Sequence, residues 1–120
     1  METKVAVDAL AALAHETRLS VFRRLVQAGP DGVAAGELAR GLGVVANTMS
    51  SHLTILDHAG LVQSRRVGRS IIYSAAYDRM SRLLAFLMED CCGGAPEVCA
   101  PLAARIDAAT CCAAGSQSAK

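Results

Sequence analysis

The strongest constraint on this chain lies between Ala34 and Ala75. "AAGELARGLG" reads as a short helix around Leu38 and Leu42, closed by Gly41 and Gly43. "VVANTMSSHLTILDHAG" follows at once and ends at Gly60. Val45, Met49, Leu53 and Leu56 lie four, four and three residues apart, which predicts one apolar stripe on a helix. Ala46, Asn47, Ser50, Ser51 and Thr54 fall mainly on the other side, which is small and hydrogen-bonding. A short helix, a tight turn and a second helix with such a face form a helix-turn-helix pattern. A helix entering the major groove must offer hydrogen-bonding groups without bulk that blocks approach. The solvated face of a helix in some other bundle would carry similar residues, so this stretch alone leaves both readings open.

The next segment narrows the choice. "LVQSRRVGRSIIYSA" alternates like a strand, breaks at Val67-Gly68-Arg69 and resumes with Ile71, Ile72 and Tyr73, which predicts a β-hairpin with Gly68 in the turn. Arg65, Arg66 and Arg69 surround the tip, so three fixed positive charges share one small projection. Such a wing suits phosphates or the minor groove. An ordinary soluble hairpin would be the blander reading. Following directly on a helix-turn-helix, it predicts a winged helix-turn-helix fold, mainly α with a small β-hairpin, acting on double-stranded DNA.

Flanking helices complete the domain. Val5 to Ala14 has Ala6, Leu10 and Leu13 at near-helical spacing with Val7 beside them, and "HETRLSVFRRLVQAG" carries a stripe of Leu19, Phe22, Leu25 and Val26. "YDRMSRLLAFLMEDCC" adds Met80, Leu83, Leu84, Leu87 and Met88, and Gly93-Gly94 and Pro96 stop it. The first and last helices hold more apolar surface than a small winged domain needs, which predicts a homodimer joined through them. The expected organisation is a DNA-binding and dimerisation domain over residues 1–92 and a cysteine-bearing tail over 93–120.

Composition is permissive. A formal charge of +1 withholds the global basic signal of many nucleic-acid binders, although local charge is what meets phosphate. With two Phe, two Tyr and no Trp there is little scope for an aromatic RNA or sugar platform. No run of about eighteen apolar residues predicts a membrane span. Residues 1–15 lack the basic start and unbroken apolar core of a signal peptide, so a cytoplasmic protein with reduced thiols is expected.

"ALAHETRLSVFRRL", "ELARGLGV", "MSSHLTILDHAGLV" and "RRVGRSIIYS" resemble the ArsR/SmtB family of winged-helix metalloregulators over roughly residues 8–90. The resemblance implies a homodimeric bacterial repressor that holds an inverted-repeat operator when empty and releases it on binding an inducer. It implies that Asn47, Thr48, Ser50, Ser51 and His52 lie in or near the groove, with Arg66 and Arg69 as wing contacts. His52 is equally compatible with a half-buried place between the recognition helix and the core. Val45 departs from the family pattern, because many relatives start this helix with a Ser cap, and valine cannot accept the free amide hydrogens.

All five cysteines follow Glu89, at Cys91, Cys92, Cys99, Cys111 and Cys112. An odd count fits a disulfide framework poorly. The stretch before Leu38 holds Ala34, Ala35 and Gly36, so the family's cysteine pair at that place is absent. The three histidines, His15, His52 and His58, are all off the last helix, so its zinc-sensing set is absent too. Cys91, Cys92 and Cys99 resemble the subgroup of arsenic repressors that carry a Cys-Cys pair at the end of the last helix and a third cysteine soon after. There the resemblance implies one As(III) held by three thiolates.

Thiolates select soft, thiophilic ions, and an As(III) centre with its lone pair takes three sulfurs in a pyramid. Sb(III) shares that valence, and a methylated trivalent arsenical needs only two thiols. Cys111 and Cys112 can form a second site, exchange with the triad, or provide the fourth ligand a structural zinc would want. A thiol redox switch is another alternative, and cysteines incidental to a surface tail are the bland one. An arsenate-reducing enzyme or a metalloid-storage protein fits less well, because no anion-binding loop precedes a cysteine and a basic wing serves neither.

Overall fold

The computed structural model describes residues 1–88 of the 120-residue chain. Within them run α1 (Thr3–Leu13), α2 (Glu16–Ala28), β1 (Val33–Ala34), α3 (Ala35–Leu42), α4 (Ala46–His58), β2 (Val62–Val67), β3 (Ser70–Ala75) and α5 (Tyr77–Leu87). Met1–Leu87 cluster as one compact unit. The five cysteines and the proposed 92/93 boundary lie outside the described residues.

The core forms where the helix stripes meet the base of the sheet. Val21 and Leu25 of α2, Leu38 of α3, Met49, Leu53 and Leu56 of α4, and Leu61 are fully buried. Each removes an aliphatic side chain from water, a gain of about 1.5–3 kcal/mol. Two polar ties fix the helices around this centre. Arg18 donates from Nε to the Ala12 carbonyl at 2.6 Å, satisfying the end of α1, and the Tyr77 hydroxyl donates to the Val26 carbonyl at 3.1 Å, joining α5 to the end of α2.

Three expected stripes are corrected. On α1 the buried residues are Ala6, Ala9 and Ala12, whereas Val7 and Leu10 are 55% and 41% exposed. The face of α1 that meets the core is the one carrying these small side chains, with Leu13 partly buried beside them, and Val7 and Leu10 lie on the other side. On α2, Leu19 is exposed and Val21 takes the core position. Val45 lies outside the α4 stripe: it precedes the helix as an extended N-cap residue, so the helical period does not apply to it.

The sheet has one strand more than the hairpin alone. β2 and β3 pair antiparallel from Val62↔Ala75 to Val67↔Ser70, and β1 adds to the other side of β3 through Val33↔Tyr73 and Ala34↔Ile72, giving the order β1-β3-β2. Two residues are too short to show a period of two. Their extended conformation comes from long-range pairing with β3.

Candidate nucleic-acid interface

The turn between α3 and α4 sets the position of the second helix. Gly43 ends α3 at φ 65°, a left-handed conformation that favours glycine. Its amide donates to Arg40 O at 3.3 Å, and the Val44 amide donates to Ala39 O at 2.9 Å, closing the end of α3. The chain then passes through extended Val45 into α4. Met49, Leu53 and Leu56 hold α4 on the core, and Asn47, Thr48, Ser50, Ser51 and Thr54 are all exposed.

The exposed hydroxyls are not idle. Thr54 Oγ1 donates to Ser50 O at 2.9 Å and Ser51 Oγ donates to Asn47 O at 3.3 Å. With the proton committed to the helix backbone, each oxygen presents its free lone pairs outward. Such lone pairs can accept hydrogen bonds from amino or amide donors. Asn47 can both donate and accept.

His52 is placed differently. Its ring is half-buried and packs against His15, which caps α2 by accepting the Thr17 amide at Nδ1, 3.1 Å away. His52 Nδ1 is buried with no hydrogen-bond partner among the described residues. Burial first, then the nearby His15 and Arg18, pushes the His52 pKa below its ordinary value of 6.5. His52 is thus half-buried, in contact with the residue that caps α2.

The wing is a two-residue hairpin. Val67 pairs with Ser70 across Gly68-Arg69, and Gly68 has φ 62°. Arg69 sits in the turn and is exposed. Arg65 and Arg66, being adjacent on β2, face opposite sides of the hairpin. Arg65 already has a partner: its guanidinium donates from Nη2 to Asp31 O at 2.8 Å, tying the wing to the loop before β1. Arg66 and Arg69 are exposed cations, and Arg69 lines a cleft of about 390 Å³ with Ser70, Glu37 and Arg40 of α3. Arg40 was not singled out from sequence. Its signal was its place on the exposed side of α3, opposite buried Leu38.

Among the described residues no group of three or more His, Cys, Asp or Glu side chains gathers as a metal site, and no helix is long and apolar enough to cross a membrane. The cysteine set lies outside those residues.

A helix-turn-helix with a polar outward face, followed by a cation-tipped hairpin, defines a winged-helix DNA-binding domain. Known proteins agree with that class. A family profile described as a helix-turn-helix domain matches residues 13–65. The biofilm growth-associated repressor of Agrobacterium fabrum is 37% identical over 95 residues, covering 79% of this chain and 76% of that protein. The HTH-type transcriptional regulator YgaV of Escherichia coli is 34% identical over 83 residues, covering 69% and 82%. The homodimeric winged helix-turn-helix DNA-binding domain of a possible ArsR-family regulator from Mycobacterium bovis superimposes with a TM-score of 0.60 at 29% identity, covering 71% and 76%. The chain belongs to the ArsR/SmtB-like winged-helix transcriptional regulators. It is a DNA-binding regulator and not an enzyme.

Proposed function

We propose that this protein is a cytoplasmic homodimeric repressor that binds an inverted-repeat operator and releases it when trivalent arsenic binds its cysteine thiolates. The observation that carries the DNA half is the α4 face, polar outward and pinned inward by Met49, Leu53 and Leu56. Repression is consistent with the name of the Agrobacterium relative, and dimerisation with the homodimeric mycobacterial domain. Dimerisation has a second support. An apolar groove of about 440 Å³ between α1, α2 and α5 is lined by Leu10, Leu19, Phe22, Met80, Leu84 and Leu87, and four of these six are exposed large hydrophobics. A twin subunit covering it would place two α4 helices on successive major grooves.

The sensing half rests on donor chemistry. Cys91, Cys92 and Cys99 offer three soft thiolates, which suit As(III) or Sb(III), and Cys111 and Cys112 offer a pair that suits a methylated trivalent arsenical. The proposed organisation keeps DNA binding and dimerisation in residues 1–92 and inducer-binding cysteines on from the end of that unit. Gathering thiolates there would favour a subunit arrangement in which the two α4 helices miss consecutive grooves. A hundredfold loss of DNA affinity needs only about 2.7 kcal/mol of such coupling.

The test is fluorescence anisotropy of a labelled fragment from upstream of the protein's own gene. The reduced protein is bound to it and titrated with arsenite and, separately, zinc. Release by arsenite alone supports the reading. Binding that arsenite leaves intact removes the inorganic-arsenic assignment, and methylarsenite, antimonite, zinc or an oxidant then identifies the inducer by which of them releases the DNA.

A further inference from the structure

Val45 stands where a polar residue would serve the fold better. It is 71% exposed, the most exposed large hydrophobic side chain among the described residues. It also holds the N-cap of α4, where Ser, Thr, Asp or Asn would accept a first-turn amide hydrogen and valine accepts none. The position is unfavourable on two counts, since water meets an apolar side chain and the helix start lacks an acceptor. Ala46 beside it is exposed and apolar as well. The leading end of the recognition helix is thus apolar, and the polar face begins only at Asn47.

A partner for that end follows from where it lies. It is continuous with the DNA-reading face of α4, and the N-terminal residues of a recognition helix are those that reach base edges. In the major groove the apolar feature is the C5-methyl group of thymine. Val45 and Ala46 line a cleft of about 450 Å³ together with Arg40, a cation next to the apolar pair that suits the flanking phosphate. We propose that Val45, backed by Ala46, is a specificity-determining residue that packs on a thymine methyl and thereby selects T at one position of the operator.

Full-length protein is used to select duplexes from a randomised pool. In the enriched duplex each thymine is replaced in turn by deoxyuridine, which keeps base pairing and loses only the methyl. At least one thymine is expected at which demethylation weakens binding about fourfold, equivalent to about 0.8 kcal/mol for one buried methyl-sized group. Val45→Ser is expected to bind the thymine duplex more weakly and to respond no further to deoxyuridine at that position. It should also unfold a few degrees higher, because serine caps α4. The proposal is overturned if wild-type binding tolerates deoxyuridine everywhere, if selection enriches no thymine, or if Val45→Ser keeps the wild-type dependence on the methyl. The wild-type scan can overturn the proposal on its own, even for a variant that folds poorly.

Discussion

The imidazole rings of His15 and His52 lie 4.8 Å apart, centroid to centroid, inclined at 48°. One ring caps α2 and the other belongs to α4, so the pair joins the domain's scaffold to its recognition helix. Because the His52 pKa is lowered in the folded protein, the unfolded chain takes up a proton first as pH falls. The neutral ring's contribution to stability is complete above the ordinary value of 6.5 and is lost as pH drops through the lowered folded value. Urea midpoints should therefore decline from about pH 6.5 downward, and His52→Gln should flatten that decline. An unchanged acid slope in the variant would assign the decline to other groups.

The wing arginines should separate by salt dependence. Arg69 is exposed in the turn, whereas Arg65 is bonded to Asp31 O. Arg69→Gln is expected to weaken binding to all duplexes and lower the slope of log affinity against log salt by about 1. Arg65→Gln should weaken binding through the placement of the wing and leave the slope nearly unchanged. Anisotropy titrations at several salt concentrations distinguish the two.

Leu10 and Leu84 are 41% and 46% exposed, so neither is held in the core of the unit. Leu84→Glu is expected to keep the stability of the isolated fold within about 0.5 kcal/mol. Sedimentation should show a monomer, and operator affinity should fall at least tenfold. A stable dimer in that variant would move the proposed interface elsewhere.

Replacing Cys91, Cys92 and Cys99 together by Ser should leave DNA affinity unchanged and abolish arsenite-driven release. Loss of DNA binding in the absence of any inducer would make these cysteines structural. Retained release with the Cys111–Cys112 pair intact would transfer sensing to that pair.

The helix-turn-helix and hairpin were legible in sequence because each rests on a local signal. Met49, Leu53 and Leu56 have helical spacing, and Gly43 and Gly68 adopt the positive φ that a turn glycine permits. What escaped was set by tertiary context. The Val33–Ala34 strand exists through its pairing with β3. The inward face of α1 is built from Ala6, Ala9 and Ala12, and which face of a helix turns inward is decided by its neighbours, which no single-helix pattern contains. Arg65 looked like its neighbour Arg66 until the fold brought the Asp31 carbonyl to it. Val45 counted in the stripe because periodicity has no marker for the residue at which helical geometry begins, and only the family resemblance put it at the cap position it holds.

The alanine face of α1 keeps two sets of instructions apart. Ala6, Ala9 and Ala12 determine how the helix seats on its own domain, and Val7 and Leu10 face away from it. Outward substitutions can therefore alter which surfaces the helix accepts while the domain beneath keeps its shape. With α1 in the subunit interface proposed above, drift at Val7 and Leu10 in a genome holding several copies of such a fold would offer a route by which each copy comes to reject the others, with no change to the α4 face.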